Sequence, residues 1–244
     1  AGTGDVGGVP LLGPVADGTI VPGQIAALEA EGRRRDVPVI VGLTADEGVL
    51  NPDYFHTTAA DVQARTARIA GGSVAASQLL GAAPQDGAAA VAANRRLTRL
   101  YGQASVIDWA GGHRSPLFAY YYTHPEPGPG SDMFGAFHSA EIPYIFGTLN
   151  AAPSRPFTDM DRQIALRMSA YWANFIKRGD PNGSGLPQWP RFAPGSAELM
   201  ELGADFAPYD RDREALHWLA GRMPHDLGRS IFGIGSFRAS NPEK

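Results

Sequence analysis

The chain has 244 residues, 43% of them hydrophobic and 19% charged, which suits one large folded domain and excludes disorder throughout. Its formal net charge is -4, and its one cationic cluster, Arg33-Arg34-Arg35, fits a solvated helix end, so the charge pattern marks neither nucleic acid nor an anionic membrane as a partner. The absence of cysteine excludes disulfide frameworks, thiolate metal sites and a cysteine nucleophile, and no apolar run approaches the roughly 18 residues needed to cross a bilayer.

The first residues, Ala1-Gly2-Thr3-Gly4-Asp5, hold neither an initiator methionine nor the basic and apolar regions of a signal peptide, and read as a cut end. Residues 1–24 are rich in Gly and Pro, with turn signals such as Ala16-Asp17-Gly18, and residues 24–34 have the composition of a helix. Val37-Pro38-Val39-Ile40-Val41-Gly42-Leu43 is apolar on both faces, as expected of a parallel strand covered by helices on both sides. It runs into the polar turn Thr44-Ala45-Asp46-Glu47-Gly48.

Thr58-Ala59-Ala60-Asp61 is a helix start with Thr58 as N-cap, and the alanine-rich sequence beyond it predicts a helical insertion over residues 58–112. A second strand is predicted over residues 116–122, where Leu117 to Tyr122 are mainly aromatic and Pro116 stands first. A loop through Pro125, Pro127, Pro129 and Gly130 then leads to His138.

Between Thr158 and Arg178 the apolar residues Met160, Ile164, Met168, Tyr171, Trp172, Phe175 and Ile176 recur at steps of three and four. Thr158-x-x-Asp161 opens this helix and Gly179-Asp180-Pro181 closes it. A short strand over 198–202 and a helix over 211–220 follow, and residues 221–244 lack periodicity and read as a C-terminal tail. The fold class is therefore α/β, with so few parallel strands that the sheet is expected to keep an open apolar edge.

Two residues have the placement that nucleophilic hydrolysis requires. Serine hydrolases use an imidazole to activate a hydroxyl and a carboxylate to orient the imidazole, and in α/β-hydrolases these groups follow strands in the order Ser, acid, His. Glu47 follows the first strand, although Asp46 would serve equally by spacing, and His138 follows the second, with apolar neighbours expected to bury one ring face. Spacing alone leaves both open to plainer roles, a turn residue for Glu47 and a hydrogen-bonded core histidine for His138. Asp53 with His56, and His124 with Glu126 and Asp132, are scattered over Pro-rich loops and do not form an expected metal site. The stripe Phe118, Tyr120, Tyr121 and Tyr122 reads as strand packing rather than a platform for bases.

Residues 37–48, ending in Asp46-Glu47-Gly48, resemble the segment of type-B carboxylesterases and cholinesterases that carries the triad Glu. Gly135-Ala136-Phe137-His138-Ser139-Ala140-Glu141-Ile142-Pro143-Tyr144-Ile145-Phe146-Gly147 is similar to their triad-His segment. Tyr171-Trp172-Ala173-Asn174-Phe175 through Asp180-Pro181-Asn182, with Trp189-Pro190, resembles the family's penultimate helix and the turn after it, and Gly13-Pro14-Val15-Ala16-Asp17-Gly18 the segment before the triad-Glu strand.

Four ordered segments thus span residues 13–190. They imply the C-terminal half of an α/β-hydrolase over residues 1–220, with Glu47 and His138 as triad members, a small-molecule carboxylic ester as substrate, and no cofactor. The resemblance also implies that an N-terminal half, covalent or not, completes the sheet.

The departures are specific. No Gly-x-Ser-x-Gly occurs in the chain, the nearest string being Gly71-Gly72-Ser73-Val74-Ala75, and there is no His-Gly-Gly-Gly-type oxyanion segment. The nucleophile is therefore not expected in this chain. Where cholinesterases carry aromatic residues after the triad Glu and His, this chain has Leu50-Asn51 and Ala140. With Ser139, these imply a pocket suited to uncharged esters rather than to choline. The alternative from another functional class is a non-catalytic cholinesterase-like adhesion or binding domain.

Overall fold

The computed structural model describes residues 5–6, 9–10, 16–23, 28, 31–33, 35–70, 79–193 and 195–222. It divides into two units, one of Ala1–Arg35 with Pro224–Lys244 and one of Asp36–Met223. In the first, β1 (Asp5–Val6) pairs antiparallel with β2 (Val9–Pro10). The turn at Asp17 forms because its Oδ1 accepts the N–H groups of Thr19, Ile20 and Val21 at 2.8–3.0 Å, with Gly18 at φ 76°. Most of the helix predicted over 24–34, the Gly71-Gly72-Ser73 string and the tail beyond Arg222 lie outside the described residues.

The second unit is built on a four-stranded sheet of order β3-β4-β5-β6. β3 (Val39–Thr44) and β4 (Leu117–Tyr122) are parallel in register Val39↔Leu117 to Thr44↔Tyr122, and β5 (Leu199–Leu202) is parallel to β4. β6 (Phe206–Tyr209) returns antiparallel on β5. All six residues of β4 are buried, as expected of a central parallel strand, whereas Val39 to Gly42 of β3 are only half-buried. Among the described residues no strand continues the sheet beyond β3.

Helices cover both faces. α1 (Ala59–Ala70) and α2 (Ala88–Gly111) lie within the predicted helical insertion, and α2 packs on β3, β4 and α6 (Arg213–Ala220). The Thr58–Asp61 start is a reciprocal cap, with Asp61 Oδ2 accepting the Thr58 N–H and Thr58 Oγ1 accepting the Asp61 N–H. On the other face α5 (Asp159–Arg178) opens with the Thr158–Asp161 capping box and closes at Gly179, φ 72°. Two very short helices, α3 (Ser131–Phe134) and α4 (Ile142–Ile145), flank His138 in sequence.

The aromatic stripe of β4 packs inside the fold. Phe118 meets Phe175 and Trp189 edge-on, Tyr120 meets Trp172 at 5.5 Å between centroids, and Tyr121 meets Tyr209 at 4.9 Å on the opposite face. The apolar series of α5 is broader than its buried stripe, because Ile164, Met168 and Tyr171 are buried while Met160 and Ile176 are exposed. Ile176 lies about 120° around the helix from Ile164 and so points away from the sheet.

At the start of α5 the Asp161 carboxylate is fully engaged. Buried Asp161 accepts from His124 Nε2 at 2.8 Å, Tyr144 Oη at 2.7 Å, and the Thr158 N–H and Oγ1 at 2.7 and 2.6 Å. His124 is thus committed to a structural partner, and Glu126 pairs with Arg155 at 2.8 Å. Burial opposes ionisation of Asp161, but the bonds from Thr158, His124 and Tyr144 outweigh it and lower its pKa to about 2.

A depressed folded-state pKa stabilises the fold above the ordinary carboxyl range, and that contribution fades as pH falls through the folded value. Asp161→Asn is therefore expected to cost about 2 kcal/mol in urea unfolding at pH 7. The difference from wild type should shrink as the pH approaches about 2; a pH-independent difference would show that the charge of Asp161 is not what matters.

Candidate active site

The acid loop begins where β3 stops. After Thr44 the chain turns through buried Ala45 and Asp46 into a single-turn helix, Glu47–Leu50. The turn forms because the Thr44 N–H donates to Glu47 Oε1 at 2.9 Å, drawing the carboxylate back over the strand end. Gly48 is required by close approach, since a Cβ there would lie 2.6 Å from the Tyr54 ring and 3.1 Å from Thr98.

The second loop arrives from β4 through α3 and Gly135, whose φ of 60° belongs to the left-handed region. It then runs beside the acid loop. The Ala45 N–H donates to Tyr122 O and the Asp46 N–H to Ala136 O, both at 2.8 Å, and Asp46 and Phe137 form an isolated parallel bridge. The pairing that begins in the sheet therefore continues into the loops, and it brings His138 Nδ1 to 2.6 Å from Glu47 Oε2.

A carboxylate only accepts, so this bond fixes the imidazole proton on Nδ1 and, in the neutral ring, the lone pair on Nε2. Glu47 is the more enclosed partner, its side chain 15% exposed against 35% for His138. The imidazole is thus held from behind and remains reachable, with less burial than its apolar neighbours in sequence suggest. Ser139, immediately after it, adopts φ 73°. A left-handed conformation in a residue with a Cβ costs roughly 1–2 kcal/mol, strain of the kind that persists beside functional groups.

Of the other sequence-derived residues, Leu50 closes the Glu47–Leu50 turn, its side chain lying outside the described residues, and half-buried Asn51 accepts the Asp53 N–H at 3.0 Å. Ser139 is half-buried, while Ala140 is completely buried. Asp53 and His56 are exposed.

Of two further acidic groups at the site, Asp46 was an equal candidate by spacing and Glu141 was not singled out in the sequence. Asp46 stands apart from His138 and is consumed by Tyr54, Arg99 and Ala136, which lie 8, 53 and 90 residues away in sequence. Glu141 sits beside Tyr120, Glu47 and His138. Burial raises its carboxyl pKa and Glu47 raises it further, against the opposing effects of a local backbone hydrogen bond, His138 and Tyr120, and its Oε2 is buried without a hydrogen-bond partner. A glutamate in a helix-starting sequence carries no local sign of either property.

The sequence model of the carboxylesterase family matches residues 5–217. The chain belongs to the carboxylesterase family. Para-nitrobenzyl esterase of Bacillus subtilis (strain 168) is 25% identical over 204 residues, 79% of this chain and 39% of that protein. Fumonisin B1 esterase of Sphingopyxis macrogoltabida is 28% identical over 212 residues, 79% and 37% of the respective lengths. Cocaine esterase of Homo sapiens is 35% identical over 83 residues, 32% of this chain and 15% of that enzyme.

Among solved structures, a PNB esterase superposes with a TM-score of 0.63 at 21% identity, over 88% of this chain and 44% of that one. At this identity the likeness establishes the fold, that of part of an α/β-hydrolase. This carboxylesterase-family chain spans less than half the length of each of these relatives.

Proposed function

We propose that this carboxylesterase-family chain supplies the acid and the base of a Ser-His-Glu triad that hydrolyses carboxylic esters, the serine and oxyanion donors being carried by sequence outside these residues. The observation that carries the reading is the 2.6 Å contact from His138 Nδ1 to Glu47 Oε2, with Glu47 Oε1 held by the Thr44 N–H. Each link constrains the next: backbone holds carboxylate, carboxylate holds imidazole.

His138 Nε2 takes the proton of the serine hydroxyl as its oxygen attacks the ester carbonyl carbon, and Glu47 stabilises the resulting imidazolium. The tetrahedral intermediate then breaks its bond to the alkoxy oxygen, which leaves as the alcohol with the proton from Nε2. Water repeats the sequence on the acyl-serine: His138 accepts its proton, the hydroxide adds, and the carboxylic acid departs as serine regains its hydrogen.

The substrate class is uncharged esters, because Leu50, Asn51, Ser139 and Ala140 follow the acid and the base and provide no aromatic cage for a cation. The relatives are named for differing esters, which supports a carboxylic ester as the substrate class without naming the ester. A fluorophosphonate phosphonylates a triad serine, and mapping the adduct in the complete, active protein tests the division of labour. The label is expected on a serine outside these 244 residues and is expected to be lost in His138→Ala. Labelling of a serine within the chain, or labelling indifferent to His138, overturns the proposal.

A further inference from the structure

Asp46 precedes the triad-acid candidate by one residue, has a carboxylate of its own and is 4% exposed, yet it does not serve the imidazole. Its oxygens are already occupied. Oδ1 accepts Tyr54 Oη at 2.5 Å and Arg99 Nη2 at 2.6 Å, and Oδ2 accepts the Ala136 N–H at 3.0 Å. Its own N–H donates to Ala136 O, so Asp46 and Ala136 are joined by two bonds, one through backbone and one through side chain.

That two-bond ring spans the acid loop and the histidine loop one residue before Glu47 and two residues before His138. Gly135 completes it: a Cβ there would overlap Asp46 Oδ2, and the positive φ of Gly135 turns the next N–H toward that oxygen. Arg99 brings the helical insertion into the same arrangement. Burial opposes its charge, but Asp46 more than compensates and raises its pKa, so the pair is a matched ion pair in a part-buried site. Burial, followed by Asp46, raises the Tyr54 pKa, which keeps that hydroxyl a donor.

We propose that Asp46 is a positioning residue that clamps the loop carrying Glu47 to the loop carrying His138, and that Arg99 of α2 makes the helical insertion part of this clamp. The proposal rests on the triad reading for its effect on catalysis. Its geometric content stands on the Asp46–Ala136 ring alone.

The test uses the complete protein with Asp46→Asn, read by hydrolysis of p-nitrophenyl acetate, by thermal melting and by the low-field proton resonance of the His138 Nδ1–H. Asparagine keeps the shape but sets an N–H₂ against either the Ala136 N–H or the Arg99 and Tyr54 donors. The variant is expected to fold, to lose about 10²-fold in kcat with KM within about threefold, and to lose or broaden the low-field resonance. A residue that only stabilises the fold would lower the melting temperature and leave the resonance and kcat in place, and that result overturns the proposal.

Should Asp46→Asn fail to fold, Arg99→Met and Tyr54→Phe, each removing one donor to the same oxygen, decide by the same readouts. A kcat loss of about tenfold with a perturbed resonance supports the clamp, and an unchanged pair of values overturns it. If the wild-type protein or His138→Ala shows that ester hydrolysis does not run through His138, the triad reading fails. The resonance then still reports whether Asp46 sets the Glu47–His138 geometry.

Discussion

Replacing His138 by alanine in the complete protein is expected to lower kcat/KM for a carboxylic ester by about 10⁴- to 10⁶-fold with little change in melting behaviour. The size follows from the proposed role, in which Nε2 removes the serine proton as its oxygen attacks and returns a proton to the departing alcohol. The small structural cost follows from the surroundings. The His138 side chain is 35% exposed, and without the imidazole its loop is still tied to the acid loop through Asp46 and Ala136.

Glu47 loses one partner but keeps the Thr44 N–H, so the stability loss should stay at about 1–2 kcal/mol. Steady-state kinetics beside urea unfolding separates the two effects. A loss of turnover below about tenfold would remove His138 from proton transfer and restore the plainer reading of a hydrogen-bonded loop histidine.

How much of this was legible in the sequence depends on the range of the forces involved. β3 and β4 were readable because both are apolar runs with a Pro at or next to their start, although only β4 is buried along its whole length, and the observed Val39–Thr44 and Leu117–Tyr122 shift the ends by only one or two residues. Both ends of α5 were readable because its caps are local chemistry, Thr158 with Asp161 at one end and Gly179 at the other. β6 was not foreseen. Its four residues include Pro208, which demotes a strand on paper and is accommodated here on a strand that ends the sheet order.

The site was legible only in part for the same reason. Asp46 and Glu47 are adjacent acids in one turn, and local sequence holds nothing to assign one to the histidine. The fold separates them through partners far along the chain: His138, 91 residues on, meets Glu47, while Arg99 and Ala136 take Asp46. Family resemblance pointed to Glu47 without giving a physical reason; the reason is that Asp46 is already fully hydrogen-bonded. The raised carboxyl of Glu141 likewise depends on Glu47 and on burial, neither visible in its neighbours.

Glu47→Gln separates orientation from charge and is expected to lower kcat about 10⁴-fold, the scale seen when a triad base is left in the wrong tautomer. Glutamine is nearly isosteric, but the carboxylate it replaces accepts at both oxygens, from the Thr44 N–H at 2.9 Å and from His138 Nδ1 at 2.6 Å. With the amide oxygen toward Thr44, its N–H₂ faces Nδ1, which must then accept, moving the imidazole proton to Nε2 where the serine needs a lone pair. With the amide reversed, N–H₂ meets the Thr44 N–H and the anchor of the loop is lost. Either arrangement disables the chain of contacts.

The tautomer switch is measurable apart from activity, as an exchange of the two imidazole ¹⁵N signatures in the glutamine variant. If turnover and tautomer both stay as in the wild type, Glu47 does not orient His138 and the triad assignment falls. Glu47→Asp sharpens the test, because it keeps the charge and both acceptors but withdraws them by one methylene. A loss well below that of Glu47→Gln would show that tautomer selection outweighs distance, and equal losses would show that the 2.6 Å contact must itself be maintained.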